Sequence, residues 1–131
     1  MMNYQNKYYP KRPVKSFQDL EVYQKLLAVS VAIAKRIKSE KVTAIALDLP
    51  VKVATAHSLR FGDQTRAIQA LEEVMLDCNI LVVYLEQYRD LKNKNIEVEF
   101  FEEQIKNLLS TRMKILHLQM SWKKFAKEYA K

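Results

Sequence analysis

The residue types that carry catalytic or metal chemistry are few in this sequence and lie far apart. His57 and His117 are its only histidines, and Cys78 is its only cysteine. Neither histidine has the His-Glu-x-x-His spacing of helical zinc sites or the Glu-x-x-His spacing of di-iron bundles. Cys78 lies in an apolar stretch, as expected of a small core residue. We therefore expect no catalytic residues, no metal and no cofactor, and we interpret the protein as non-enzymatic.

Basic residues, in contrast, are concentrated in two stretches that could hold phosphate groups. The formal net charge is +7, which suggests an anionic partner, although solubility alone is an alternative explanation. One stretch is the amino-terminal arm, residues 1–15, and the other is the second half of the last predicted helix. The candidate nucleic-acid-binding residues are Lys7, Lys11, Arg12 and Lys15 of the arm, and Arg112, Lys114, Lys123, Lys124 and Lys127 of the helix.

The basic residues of each stretch also have an explanation that requires no ligand. Lysines in a last helical turn favour the helix dipole by themselves, and an arm broken by Pro10 and Pro13 is expected to be flexible when unbound. Tyrosines in the arm could stack on unpaired bases. The arm lacks the amphipathic pattern of a membrane-surface helix, so we expect RNA or DNA as the partner, with little sequence specificity, and no membrane.

Composition favours an all-α fold. The chain has one glycine and three prolines in 131 residues, whereas a fold with many tight turns needs more of both. Apolar residues recur at helical spacing in four segments joined by short connections. The sequence predicts one domain over residues 16–131, an antiparallel up-down four-helix bundle. A long two-helix hairpin is the alternative.

Capping signals mark where the predicted helices begin and end. Ser16, with Asp19 three residues later, forms an acidic variant of the capping box, and this first helix is expected to run to about residue 39. Pro50 falls inside the second helix, which it should bend or divide at about residue 49. Gly62 fits a left-handed cap at the end of that helix, and Asp63 can cap the third.

The third predicted helix covers about residues 64–91, and the fourth about residues 96–129. Within the third, "CNILVVYL" is apolar on nearly every side, which indicates burial on more than one side. In a small bundle, this pattern is typical of a central helix or of a subunit interface. The predicted oligomer interface consists of Ile80, Leu81, Val83 and Tyr84.

Two further features favour the cytoplasm as the location. A single cysteine allows no internal disulfide and fits a reducing compartment. The amino terminus has no apolar run of the signal-peptide kind, and the longest apolar run in the chain, "ILVVYL", is far shorter than a membrane span.

The stretch "SFQDLEVYQK" at residues 16–25 resembles the start of the four-helix-bundle proteins encoded in ribosomal-RNA intervening sequences. Their first helix begins with Phe-x-Asp-Leu-x-Val-Trp-Gln-Lys, with tyrosine here in place of the tryptophan. A second family motif, Ser-Ile-Pro-x-Asn-Ile-Ala-Glu-Gly, is similar to "DLPVKVATAH" at residues 48–57. The matching positions are Phe17, Asp19, Leu20, Val22, Gln24 and Lys25 in the first motif, and Leu49, Pro50, Val53 and Ala54 in the second.

The second half of the chain resembles a sister group, the accessory variability determinant (Avd) proteins of diversity-generating retroelements. The similar segments are residues 57–91 and "ILHLQMSWKKFAK" at residues 115–127. The resemblance implies a four-helix bundle that assembles into a ring-like homopentamer with a basic surface for RNA or DNA and for a reverse transcriptase. A protein-docking or structural oligomer without nucleic-acid binding, of the intervening-sequence type, is the alternative function.

Overall fold

The first predicted cap is present, but it starts a single turn of 3-10 helix instead of the long helix. The computed structural model describes residues 16–91 and 95–129. The Ser16 side chain accepts a hydrogen bond from the Gln18 amide, and the Ser16 amide donates to Asp19 Oδ2, both at 3.2 Å. The turn covers Phe17–Asp19, after which Leu20 is extended and buried. The α-helix therefore begins later than predicted because the chain first turns Leu20 into the core.

The first two helices are joined by a short connection. Helix α1 covers Glu21–Arg36 and helix α2 covers Glu40–Leu59. The Ser39 side chain accepts a hydrogen bond from the Val42 amide at 3.3 Å and caps α2. Pro50 lies inside α2 without dividing it, so of the two predicted effects the division at about residue 49 does not occur, and the bend stays a prediction. The proline ring is buried between the fully buried Leu49 and Val53, and this packing offsets the backbone hydrogen bond that proline cannot donate.

Helix α2 ends without the left-handed glycine cap that the sequence predicted. Gly62 has no positive φ, so that prediction is wrong. The chain instead closes with tighter turns, in which the amides of Gly62 and Asp63 both donate to the Leu59 carbonyl, at 3.1 and 2.8 Å. Asp63 then caps the next helix, as predicted, because its Oδ1 accepts from the Arg66 amide at 3.2 Å.

The last two helices are the longest. Helix α3 covers Gln64–Leu91 and helix α4 covers Asn95–Tyr129. Each helix packs against the next in the chain, and α4 also packs against α1. The all-α, antiparallel up-down four-helix bundle is thus confirmed, and the two-helix hairpin is wrong. Over residues 16–91 and 95–129 the structure has no strand.

A single core runs the length of the bundle. All four helices contribute fully buried side chains to it, and Trp122 and Phe101 of α4 are the largest. Within the described ranges, no helix combines the length and apolarity that crossing a membrane requires. The arm, residues 1–15, lies outside the described residues. The other large core side chains are Leu26, Ile33, Leu49, Leu71, Leu81, Leu85, Leu108 and Ile115.

Candidate nucleic-acid interface

The antiparallel order of the helices collects basic side chains at one end of the bundle. The start of α1, the end of α2, the start of α3 and the end of α4 all lie there. Ser16, to which the arm leads, is at this end as well, although the arm's own candidates, Lys7, Lys11, Arg12 and Lys15, lie outside the described residues. We call this region the basic end and define it by Arg60, Arg66, Lys123, Lys124 and Lys127.

Three of the five helical candidates lie together at the basic end. Lys123, Lys124 and Lys127 are exposed, and no ion pair of the described residues includes any of them. At about 100° per residue, they cover roughly a quarter to a third of the circumference of α4, on a side that turns away from the buried Trp122. Their charges are therefore directed into solvent, where a phosphate could reach them.

The other two helical candidates are separated from this cluster. Lys114 lies against α1, and its Nζ is 3.4 Å from Glu21 Oε2. Arg112 is half-buried in a groove of about 550 Å³ between α3 and α4, lined also by Glu72 and Leu76. Its Nε is buried without a hydrogen-bond partner in the described structure. Arg112 and Lys114, two residues apart, thus point to different sides of the helix.

An aromatic cluster beside the lysines was not anticipated from the sequence. The Arg60 guanidinium carbon lies 4.8 Å from the ring centre of Phe61, 5.1 Å from that of Trp122 and 5.4 Å from that of Phe125. The Phe61 and Phe125 rings meet edge to face at 6.1 Å. These four residues form what we call the arginine cage. In the sequence, the only indication of this cluster is the Arg60-Phe61 pair before Gly62, which places a large aromatic residue at a predicted turn.

Arg60 keeps its charge without a carboxylate partner. Among the described residues no ion pair includes it, and its Nε is buried without a hydrogen-bond partner. Burial lowers the pKa of its guanidinium, but arginine stays protonated in proteins. The cage therefore holds a positive charge that aromatic faces, instead of an anion, stabilise.

The histidines and the cysteine do not assemble into a site for acid–base or metal chemistry. His57 lies beside Trp122, and burial, followed by the positive charge of Arg60, lowers its pKa. His117 is exposed on α4. Cys78 is fully buried, and its burial raises the pKa of the thiol to about 12. Over the described ranges, no three His, Cys, Asp or Glu side chains lie close enough to hold a metal ion.

The predicted oligomer interface divides between the core and the surface. Leu81 is completely buried within the protomer, so its side chain packs in the core, and its place in an interface stays a prediction. Val83 is 51% exposed, whereas Ile80 and Tyr84 are half-buried. Tyr84 also receives the Lys41 ammonium over its ring, 5.3 Å from the centre. The other large apolar side chains that are exposed on α3 and α4 are Leu76, Leu91, Leu109, Met113 and Met120.

The basic end can bind anions electrostatically and can present an aromatic face. Lysine ammonium groups are suited to phosphate oxygens as point charges, and a polyanion would meet several of them at once. Two acidic residues at this end, Asp19 and Asp63, serve as helix caps, and Glu128 is the one acidic residue next to the lysines in the sequence. No protein-family model matches the chain, and no curated protein or solved structure is detectably similar to it.

Proposed function

We propose that this protein is a non-enzymatic, cytoplasmic accessory protein that binds RNA or DNA as a homo-oligomer and assists the reverse transcriptase of a diversity-generating retroelement. The observation that carries the nucleic-acid part is the cluster of exposed lysines at the basic end, Lys123, Lys124 and Lys127, which form no ion pair among the described residues. Each phosphate that a lysine neutralises releases condensed counterions, which favours binding of any sequence.

The opposite end of the bundle lacks such a surplus. Its basic residues include Arg36, which lies 4.3 Å from the ring centre of Phe100, and Arg89, which pairs with Asp90 at 2.9 Å. In sequence, this end also has Lys35, Lys38, Lys41, Lys92 and Lys94, which makes seven basic residues against seven acidic ones, Glu40, Glu86, Asp90, Glu97, Glu99, Glu102 and Glu103. A charge that served solubility alone would need no such division between the two ends. The asymmetry therefore favours a polyanion that binds at the basic end.

The reverse transcriptase and the retroelement enter through the resemblance of the sequence to Avd proteins. The similar segments include most of α3 and the end of α4 that carries Trp122 and Lys123. Those residues supply one wall of the arginine cage and one of the unpaired lysines. The part of the chain that resembles Avd proteins is thus the part that forms the proposed binding surface.

Two exposed apolar surfaces support the oligomer. One lies on α3 and α4 around Val83, and the other lies on α1 and α2, where Leu27, Val31, Leu47 and Val51 are exposed. The helix order places α1 and α2 on the side of the bundle opposite α3 and α4. Two different surfaces on opposite sides fit a head-to-tail contact, which gives a ring when the rotation between subunits closes and a filament when it does not. A homopentamer would present the basic end five times and strengthen weak binding through multivalency.

A protein-docking or structural oligomer without nucleic-acid binding is the second candidate. The same exposed apolar surfaces favour it, since they would serve a protein partner equally well. The two candidates differ in what the basic end does. In the docking function the lysines keep the protein in solution and bind nothing.

A pair of matched charge-reversal variants tests the proposal. Lys123→Glu with Lys124→Glu changes the basic end, and Lys35→Glu with Lys38→Glu makes the same charge change at the opposite end. We expect the purified protein to bind RNA at low salt, with affinity falling steeply as salt rises. The first variant should lose most of this binding and the second should retain it. Equal losses would assign binding to net charge, and no binding by the unaltered protein would favour the docking function.

A further inference from the structure

Phe61 is the most exposed member of the arginine cage. Its side chain is 75% exposed, although Phe125 lies half-buried next to it and Trp122 is in the core. The neighbouring backbone is also uncovered, because a Cβ placed on Gly62 would meet no atom within 4 Å. A large aromatic ring at such a position buries little surface, so the core gains little from it. Its place in the structure calls for another explanation.

The surroundings of Phe61 combine two features that recur where proteins hold unpaired bases. One is an aromatic face free to stack on a base, and the other is a cation directly beside it. Arg60 lies 4.8 Å from the Phe61 ring centre and has no carboxylate partner among the described residues. The Phe125 ring packs against the Phe61 ring at an interplanar angle of 75° and supports it. The aromatic face is therefore held in place before any ligand binds, which lowers the cost of ordering it.

We infer that Phe61, supported by Arg60 and Phe125, is a stacking platform for one unpaired base, so that the basic end prefers single-stranded to duplex nucleic acid. This inference rests on the proposed function and adds the kind of strand that is bound. The lysines of α4 hold the phosphates of the strand, and Phe61 holds a base. A duplex offers the same phosphates, but its bases are already stacked and paired, so only its ends could use the platform.

The preference requires no base identity. Every base has a face that can stack, and three of the four residues of the cage are aromatic, the fourth being Arg60. We therefore expect the platform to tolerate all four bases and to add affinity without sequence specificity. The lack of sequence specificity agrees with the proposed role of the lysines at the basic end, which would contact only phosphates.

The experiment compares three strands and three variants. The strands are a thymidine strand of about 12 nucleotides, which is within the range that one such surface spans, an abasic strand of the same length, and a duplex of the same length. Phe61→Ala removes the platform, Phe61→Trp preserves an aromatic face, and Leu91→Ala removes a comparably exposed apolar side chain at the opposite end, since Leu91 is 78% exposed. Affinities are measured at one salt concentration, with the fluorescence of Trp122 as a local reporter.

We expect Phe61→Ala to weaken binding of the thymidine strand by about tenfold, as the loss of one stacked base would, and to leave the abasic strand and the duplex unchanged. Phe61→Trp and Leu91→Ala should bind like the unaltered protein. If Phe61→Ala binds the thymidine strand as well as the unaltered protein does, the platform is refuted and the proposed function stands. If the unaltered protein binds none of the three strands, the proposed function and the platform both fail.

Discussion

Lys114 Nζ lies 3.4 Å from Glu21 Oε2 and joins the middle of α4 to the first turn of α1. The same carboxylate oxygen is 3.9 Å from Lys25 Nζ, one turn along α1. Glu21 thus offsets part of the charge of two lysines that sequence alone would count as free. A phosphate that approached Lys114 would have to compete with this carboxylate, whereas one that approached Lys124 would not.

The contrast between Lys114 and Lys124 predicts different salt dependences for two conservative variants. Lys124→Gln should reduce the slope of the logarithm of RNA affinity against the logarithm of salt by about one, because one phosphate contact is lost. Lys114→Gln should change the slope little. Both variants remove one charge from α4, so net charge cancels in the comparison. Equal slopes for the two variants would mean that the described ion pair does not decide which lysine binds phosphate.

Assembly should depend on the exposed part of the predicted interface. We expect Val83→Lys to shift the protein toward monomer in sedimentation velocity, because it places a charge in the apolar surface of α3 and α4. Gln87→Lys, an exposed change one turn further along α3, is the matched control and should leave assembly unchanged. Circular dichroism should show the same helix content in both variants. A monomeric unaltered protein would contradict the oligomer directly.

The sequence predicted the fold well because the signals for it are local. Helical periodicity, one glycine and the polar connections determine four helices, and capping residues such as Ser16 and Asp63 act within one turn. The errors arose where packing overrides local preference. Pro50 stays within a continuous helix because its neighbours are buried, and Leu20 interrupts the first helix because its side chain enters the core.

The candidate site was only partly predictable because charge clusters depend on which residues face each other across helices. Lys114 and Lys123 look equivalent in the sequence, yet among the described residues only Lys114 meets a carboxylate, and that carboxylate is 93 residues away in the chain. The arginine cage likewise combines the end of α2 with the end of α4. The spacing of residues within a single helix does not predict contacts between helices. The order of the helices predicts only which helix ends lie together.

The ion pair between Lys52 and Asp77 should make stability depend on alkaline pH. Lys52 Nζ lies 2.7 Å from Asp77 Oδ2, and this hydrogen bond is the main reason that the pKa of Lys52 is raised above its ordinary value of 10.5. A lysine whose pKa is raised on folding stabilises the protein fully below the unfolded value and loses that contribution as the pH rises through the folded value. At pH 7, Asp77→Asn should lower the free energy of unfolding by about 1 kcal/mol.

Lys52 Nζ also lies 3.5 Å from Glu73 Oε1 and 3.7 Å from Asp48 Oδ2. Denaturant unfolding of the unaltered protein and of Lys52→Met, at pH values on both sides of 10.5, therefore measures the contribution of all three ion pairs together. The difference between their unfolding free energies should shrink above that pH, as the unaltered protein loses its ammonium charge. The remaining ionisable groups are the same in both proteins, so their contributions to the free energy of unfolding cancel in the difference. A difference that stays constant or grows at alkaline pH would show that the ion pairs of Lys52 do not contribute as described.

The hydroxyl group of Thr111 lies at the groove between α1 and α4 and should lower the stability of the protein. Thr111 is completely buried, and its Oγ1 has no hydrogen-bond partner in the described structure. A buried hydroxyl without a partner opposes folding by about 1–3 kcal/mol. Thr111→Val keeps the branched shape and removes the hydroxyl, so it should raise the free energy of unfolding by about 1 kcal/mol in denaturant titrations.

Ser110→Ala, an exposed change on the same helix, is the control and should have a smaller effect. If Thr111→Val is destabilising instead, the hydroxyl has a partner in solution, such as a water molecule in the groove, which is large enough at about 350 Å³ to hold one.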